Sequence, residues 1–135
     1  MPGAPPLVSE VSRPWWDALA RERIEMQRCD ACAAWIFYPR PFCPSCGGRS
    51  LSWAEVAPSA TLYSWTVARV PVSKAFAHLE EPVLAIAELG NGVRLPTVIR
   101  DARPEDLRIG MALEPVFDSA AYEDFTLLCF RPASP

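Results

Sequence analysis

The residues best suited to chemistry in this chain are four cysteines arranged as two matched Cys-x2-Cys pairs. Cys29 and Cys32 form the first pair, Cys43 and Cys46 form the second, and ten residues separate the two. Each pair places two sulfurs on one turn, and two such turns facing each other offer the four tetrahedral thiolates that zinc prefers. The spacing therefore predicts one structural zinc ion per chain, because four protein ligands leave no open position for a substrate.

Disulfide bonding and redox chemistry of the cysteines fit the sequence less well than metal binding does. Disulfides are disfavoured by the odd count of five cysteines and by the lack of a secretory signal. A thioredoxin-like redox pair needs a helix start, which Pro44 and the two glycines after Cys46 oppose. The first of these, Gly47, is expected to take a positive φ and to turn its N–H toward a ligand sulfur. The fifth cysteine, Cys129, lies in an apolar stretch and is expected to be a buried small hydrophobe.

Short elements must position the four cysteines. Fifteen prolines in 135 residues, about twice the usual proportion, favour short elements over long helices. Ser12 is predicted to cap a short helix over residues 15–21, with Pro14 in its first turn. Alternation from Ile24 predicts a strand that leads into Cys29, and Leu51 to Val56 should close the ribbon.

The second half of the chain has the pattern of a small all-β domain. Residues 61–67 read as a strand with Tyr63, Trp65 and Val67 on one face, and Asn91-Gly92 marks a hairpin. Further strands are predicted at residues 83–89, 93–95, 111–117 and 125–130, with one helical turn at 104–107. The chain then divides into a flexible leader (1–11), a helix and zinc ribbon (12–56) and a β-domain (57–135). Five strands with this turn predict an OB-type barrel, and a β-sandwich stays the alternative.

Residues for catalysis are few. His78, the only histidine, lies in a loop with Lys74, and we expect no catalytic role for it. Asp101, Glu105 and Asp106 are expected to serve a turn and a helix start. The sequence shows neither a Ser–His–Asp set nor a glycine-rich phosphate loop, so the chain does not have the pattern of a self-sufficient enzyme.

Charge and hydropathy limit the environment and the partners. The formal net charge of −3 gives the chain no general attraction for a phosphate backbone. No run of eighteen apolar residues predicts a membrane span, and no basic segment followed by an apolar stretch marks a signal peptide. We therefore expect a cytoplasmic protein that binds neither membrane nor nucleic acid.

An ordered series of short motifs makes the chain recognisable. In sequence order they are Trp15-Trp16, Gln27-Arg28-Cys29-Asp30-Ala31-Cys32, Tyr38-Pro39-Arg40, Cys43-Pro44-Ser45-Cys46-Gly47 and Tyr63-Ser64-Trp65-Thr66-Val67. The series resembles the family of OB-fold proteins with an N-terminal rubredoxin-like zinc ribbon that accompany thiolase-like, lipid-transfer-type acyl-CoA enzymes. The match covers residues 12 to 132, and the glycine-rich joint usual in that family is replaced here by residues 57–60.

The resemblance implies a non-catalytic accessory subunit in a hetero-oligomer with a thiolase-like partner. Such partners include aldolases, thiolases and acyltransferases, some of them in lipid and steroid side-chain degradation. The helix and ribbon would pack on the partner, and the barrel would help shape the acyl-CoA site. We therefore predict a partner interface at Trp15, Trp16 and Leu19, and an acyl-CoA passage beside Tyr63 and Trp65.

Three points stay open from the sequence alone. Adjacent tryptophans on a helix point about 100° apart, so a short helix can hardly bury both; the alternative is that one covers the ribbon and the other is half-exposed. A second function class is single-stranded nucleic-acid binding, in which Tyr63 and Trp65 would stack on bases. A third is a stand-alone small-molecule enzyme that uses His78.

Overall fold

A computed structural model describes residues 5–70 and 81–134, so His78 and Lys74 lie outside the described residues. The fold is mainly β, as predicted, with one short helix. A 3₁₀ turn, Pro104–Asp106, separates the third and fourth barrel strands. The elements in chain order are α1 (Arg13–Ala20), β1 (Ile24–Cys29), β2 (Trp35–Ile36), β3 (Leu51–Val56), β4 (Ala60–Val67), β5 (Val83–Leu89), β6 (Arg94–Ile99), β7 (Ala112–Asp118) and β8 (Leu127–Pro132).

The ribbon is a three-stranded antiparallel sheet in the order β2-β1-β3. Strand β1 pairs with β3 along its whole length, from Ile24 opposite Val56 to Cys29 opposite Leu51. Asp30 extends this pairing, because its carboxylate accepts hydrogen bonds from the hydroxyls of Ser50 and Ser52 at 2.8 and 2.7 Å. The first ligand pair therefore lies at the end of a well-paired strand.

The second sheet closes into a five-stranded barrel in the order β4-β5-β6-β8-β7. Its neighbours are antiparallel except β6 and β8, which run parallel with Ile99 opposite Phe130. Strands β4 and β7 complete the circle through Ala60 opposite Leu113. This mixed barrel is the predicted OB type, and its closure rules out the β-sandwich alternative.

A β-bulge in β4 corrects the predicted faces of that strand. Leu62 pairs with Ala87 and Ser64 with Ile86, which leaves Tyr63 between them without a partner of its own. Tyr63 is 45% exposed, whereas Trp65 and Val67 pack against the core. The prediction that all three share one face is wrong, because the extra residue shifts the alternation by one position.

One hydrophobic core joins the helix, the ribbon and the barrel. Trp15 and Leu19 of α1 and Met26 of β1 belong to the same buried cluster as Leu62 and Phe130 of the barrel. Phe130 and Leu62 have no exposed surface, and Leu19 has 1%. The helix is therefore held by tertiary burial, which an eight-residue helix needs in order to be stable.

Two local features differ from prediction and one agrees. Ser12 occupies the N-cap position, yet its hydroxyl oxygen accepts a hydrogen bond from the N–H of Ser9 rather than from the helix. Strand β8 begins at Leu127 instead of residue 125. The Asn-Gly hairpin forms as expected, with Gly92 at φ 89° and the Asn91 side chain accepting from the N–H of Val93 at 3.0 Å. Within the described ranges, no helix is both long enough and apolar enough to cross a membrane.

Candidate metal centre and the aromatic junction

The four predicted cysteines meet at one point, and their sulfur atoms all lie within 4.8 Å of one another. The Sγ atoms of Cys29 and Cys46 are 3.6 Å apart, as are those of Cys32 and Cys43. Sulfurs held about 2.3 Å from a tetrahedral metal are separated by about 3.8 Å, so the cluster has the size that one zinc ion needs. Cys129 is buried elsewhere, in β8, as predicted.

Backbone N–H groups prepare the sulfurs for a cation. The N–H of Cys46, followed by that of Ser45, holds the pKa of Cys43 at about 7, although burial opposes the shift. The N–H groups of Cys32 and Ala31 lower the pKa of Cys29 in the same way. These are the N–H groups inside each Cys-x2-Cys turn, so the turn stabilises the thiolate that the metal needs.

A cation is still required for all four sulfurs to ionise. The N–H of Ala34 favours the Cys32 thiolate, yet Cys43 and the other neighbouring thiols raise the pKa of Cys32 to about 11. Four thiolates within 4.8 Å repel one another unless a positive ion lies between them. The donor set therefore fits a bound zinc ion, which would neutralise part of this charge.

The glycines after Cys46 have other roles than predicted. Gly47 has the expected positive φ of 79°, but its N–H donates to the carbonyl of Cys43 at 2.8 Å. The N–H that approaches a sulfur belongs to Gly48 and lies 3.4 Å from the Sγ of Cys46. A Cβ at Gly48 would lie 3.3 Å from that sulfur and 3.6 Å from the Sγ of Cys29, so glycine permits the close approach.

A buried glutamine fixes the segment between the ligand pairs. The side chain of Gln27, 5% exposed, donates to the Arg40 carbonyl at 2.9 Å and accepts from the Arg40 N–H at 2.8 Å. The amide thus pairs with the backbone as a neighbouring strand would. The contact joins β1, which ends in Cys29, to the segment that leads into Cys43.

Six aromatic side chains, which we call the aromatic junction, connect the helix, the ribbon and the barrel. The indole Nε1–H of Trp16 donates to the hydroxyl of Tyr38 at 3.1 Å. Trp16 also meets Phe125 of the β7–β8 loop edge to face, with ring centroids 6.0 Å apart. The remaining edge-to-face contacts are Trp15 with Phe37, Phe37 with Tyr38, and Tyr122 with Phe125. No sequence pattern predicts that Phe125 belongs to the aromatic junction, because the residues around it have the composition of a strand.

An apolar groove of about 480 Å³ runs between the helix and the barrel. Trp16 and Tyr38 line one side of it, and residues 95–98 and 127–129 line the other. The groove exists because β6 and β8 pair only at Ile99 and Phe130, so that the strands part before that point. The hydroxyl of Thr97 donates to the carbonyl of Leu128 at 3.1 Å across the gap. No charged residue lines the groove in the described part of the chain.

The three residues predicted to form a partner interface differ in their exposure. Trp15 and Leu19 are 5% and 1% exposed, because both pack into the chain's own core. They form the floor of the groove rather than an outer surface. Trp16 is only half-buried. This agrees with the alternative stated above, in which one tryptophan of the pair is half-exposed.

The predicted acyl-CoA residues lie in two different settings. The ring of Tyr63 faces the guanidinium of Arg94 at 3.9 Å, and the Nε of Arg94 also pairs with Glu88 at 2.7 Å. Trp65 instead borders a hollow of about 310 Å³ on β4, β5 and β6. The bulge separates the two residues, so they do not form a single platform.

A second polar group lies under the β7–β8 loop. Arg100 donates to Asp118 at 2.9 Å and approaches the sulfur of Cys129 at 3.7 Å. This guanidinium lowers the pKa of Asp118, and burial raises the pKa of the Cys129 thiol. The other oxygen of Asp118 accepts from the N–H groups of Ala120 and Ala121, which fixes the start of the loop. The arrangement suits a structural role for Cys129 better than a nucleophilic one.

Two family models together match residues 16–118. The first, described as ChsH2, rubredoxin-like zinc ribbon domain, matches residues 16–52. The second, ChsH2, C-terminal OB-fold domain, matches residues 53–118. The ribbon model contains all four cysteines, so the prediction of one structural zinc ion is confirmed by family and by geometry.

Individual relatives carry the same combination. A probable enoyl-CoA hydratase alpha subunit from Thermomonospora curvata is 36% identical over 132 residues, and the match covers 96% of this chain but only 40% of that protein. A DUF35 domain-containing scaffold protein from Methanocaldococcus jannaschii is 35% identical over 109 residues, 79% of this chain and 76% of its own.

A solved structure extends the similarity to three dimensions. A chain of an Ltp2-ChsH2(DUF35) aldolase superposes with a TM-score of 0.83 at 33% identity, and the match covers 96% of this chain and 100% of that chain. The chain described here therefore belongs to the ChsH2 (DUF35) family, in which a rubredoxin-like zinc ribbon precedes an OB-fold domain.

Proposed function

We propose that this chain is a non-catalytic accessory subunit of a thiolase-like acyl-CoA enzyme, an aldolase, thiolase or acyltransferase of lipid or steroid side-chain degradation. The observation that carries the proposal is the similarity to a chain of an Ltp2-ChsH2(DUF35) aldolase along the full length of that chain. The name of the Thermomonospora curvata relative, a subunit of an enoyl-CoA enzyme, points to the same substrate class.

The internal chemistry of the chain agrees with a supporting role. The zinc site is closed by four cysteines, so the metal has no position at which to activate water. Burial raises the pKa of the Cys129 thiol, which disfavours the thiolate that a nucleophile needs. The reacting groups would then belong to the partner subunit.

Assembly would use the groove beside Trp16. Its uncharged aromatic and aliphatic lining suits apolar side chains of a thiolase-like partner, and half-buried tryptophans are frequent hot spots at interfaces. Trp15 and Leu19 support this surface from below.

The acyl-CoA passage would border two separate parts of the barrel, one at Tyr63 and the other at Trp65. Tyr63 is 45% exposed and offers its side chain to such a ligand. The hollow beside Trp65 is apolar and suits the acyl or pantetheine portion.

Co-expression of this chain with the proteins encoded by its neighbouring genes tests the proposal. Trp16→Ala should weaken association by about 2 kcal/mol, the cost of an interface hot spot, with one zinc ion retained per chain. Tyr63→Ala should leave assembly intact and raise the KM for the acyl-CoA. His78→Ala should change turnover of the complex by no more than a few-fold.

Specific outcomes would contradict the proposal. Failure of any thiolase-like protein to co-purify would remove the accessory role, and turnover by the isolated chain would remove the non-catalytic one. Loss of turnover in an intact complex carrying His78→Ala would show that this chain supplies a reacting group.

Single-stranded nucleic-acid binding is the weaker candidate. The similar proteins are a hydratase subunit, a scaffold protein and an aldolase chain, and none of these names concerns nucleic acids. Tyr63 is already stacked on Arg94, which is in turn paired with Glu88, and the chain carries a net charge of −3. Salt-dependent binding of single strands at physiological ionic strength would reverse this ranking.

A further inference from the structure

Beside the hydrophobic core that they share, the zinc ribbon and the β7–β8 loop of the barrel are linked by a short series of side-chain contacts. Tyr38 accepts the indole N–H of Trp16 at 3.1 Å, and the ring of Trp16 meets that of Phe125 at 6.0 Å. Phe125 in turn meets Tyr122 within the same β7–β8 loop, residues 119–126, at 6.3 Å. Each ring contact has the edge-to-face geometry that aromatic pairs prefer.

The ribbon end of this series is fixed by the metal ligands. Tyr38 lies five residues before Cys43. Between them, the backbone N–H and carbonyl of Arg40 both form hydrogen bonds with the side chain of Gln27 in β1. Strand β1 ends in the predicted zinc ligand Cys29, and the segment carrying Tyr38 leads into the predicted ligand Cys43. The segment is therefore restrained both by the ligands and by β1.

The barrel end of the series is the β7–β8 loop. Asp118 binds the N–H groups of Ala120 and Ala121 at the start of the loop, and β8 begins at its far end. Glu123 and Asp124, next to Phe125, are exposed and form no ion pair with any described residue. In OB barrels the loop between the fourth and fifth strands is one of those that contact ligands.

We propose that Trp16 is a positioning residue through which the zinc ribbon sets the conformation of the β7–β8 loop. Tyr38 orients the indole, and the indole holds Phe125 in place. The metal site then does more than stabilise the ribbon, because it determines how firmly a ligand-contacting loop of the barrel is held. This inference concerns the isolated chain and stands or falls independently of the identity of the partner.

Amide hydrogen exchange of the full-length zinc-bound chain tests the coupling, with the Ala120 and Ala121 amides and the Trp16 indole as reporters. Tyr38→Phe removes only the hydroxyl and should speed exchange of the two amides about fivefold, the factor for one hydrogen bond of roughly 1 kcal/mol. Tyr63→Phe, the same chemical change outside the aromatic junction, should leave them unchanged. Trp16→Phe should act like Tyr38→Phe, and the double variant should be no worse than either alone.

Chelation of the zinc gives an independent arm. Exchange in residues 119–126 should rise at least as much as in Tyr38→Phe, while amides of Leu62 and Phe130 in the barrel core stay protected. If the core amides lose protection as well, chelation has unfolded the barrel, and the zinc-bound variants alone decide the matter. Unchanged exchange at Ala120 and Ala121 in both zinc-bound single variants would overturn the proposal. Strictly additive effects in the double variant would also overturn it, because the two residues would then act separately.

Discussion

The buried amide of Gln27 offers a prediction whose size follows directly from the structure. Gln27→Leu keeps a side chain of similar size in a site that is 5% exposed but removes two hydrogen bonds to Arg40, of 2.9 and 2.8 Å. Each bond contributes about 0.5–1.5 kcal/mol, so about 1–3 kcal/mol is lost. Leucine returns part of this loss, because it buries about one more apolar carbon than the methylenes of glutamine already do, a gain of about 0.8 kcal/mol. The backbone of the exposed Arg40 can bind water instead. We expect a net loss of about 1 kcal/mol.

Gln27→Glu should behave differently because it adds a charge. The carboxylate can still accept from the Arg40 N–H, but its second oxygen faces the Arg40 carbonyl without a proton between them. The destabilisation should therefore exceed that of Gln27→Leu at pH 7. Burial and this repulsion raise the pKa of the new carboxyl above its ordinary value, so the penalty should shrink as the pH falls and the group takes up a proton.

Urea unfolding in buffer saturated with zinc measures both variants. Glu55→Leu on the neighbouring strand β3 is the matched control, because Glu55 is exposed and forms no hydrogen bond or ion pair in the described part of the chain. Its unfolding free energy should stay within about 0.5 kcal/mol of the wild type. Unfolding of Gln27→Leu and Gln27→Glu at the wild-type midpoint would refute the reasoning, because the amide would then not be holding the segment.

Two further predictions concern metal binding and the pH dependence of the unfolding free energy. Cys43→Ser should abolish stoichiometric zinc and destabilise the ribbon, whereas Cys129→Ser should retain one zinc ion per chain, as measured by elemental analysis. Zinc retained by Cys43→Ser at full stoichiometry would disprove the four-ligand site. Asp118→Asn should lower the unfolding free energy at pH 7 by about 1 kcal/mol, because it loses the charge facing Arg100 yet keeps an oxygen for the loop N–H groups. The pKa of Asp118 is lowered in the folded chain, so its contribution is present above pH about 4 and is lost at lower pH; a gap between variant and wild type that persists below pH 3 would contradict this.

The metal site could be predicted from the sequence because its ligands lie in short local motifs. Two Cys-x2-Cys turns specify ligand number and type, and the structure brings all four sulfurs within 4.8 Å. The barrel could be predicted for a similar reason. Its signals are short-range patterns, namely the alternation, the Asn91-Gly92 hairpin and the turn at Pro104–Asp106.

Features that depend on tertiary contact could not be predicted in the same way. The bulge at Tyr63 leaves no mark in the alternation, yet it moves Trp65 to the core side of the strand. The sequence around Phe125 has the composition of a strand, yet Phe125 lies in the loop before β8, where its ring meets that of Trp16. The burial of Gln27 could not be predicted either, because a strand pattern cannot show that another segment covers one face of β1.

The core shared between Met26 and Phe130 has a consequence for how such chains can be inherited. The boundary between the two matched family models, at residues 52 and 53, falls inside β3, a strand that is hydrogen-bonded to β1 along its length. A recombination event at that boundary would split a sheet and open the hydrophobic interior of both halves to water. Ribbon and barrel should therefore move between genes as one indivisible cassette. In the Thermomonospora curvata relative, the stretch that matches both parts of this chain makes up 40% of a longer protein.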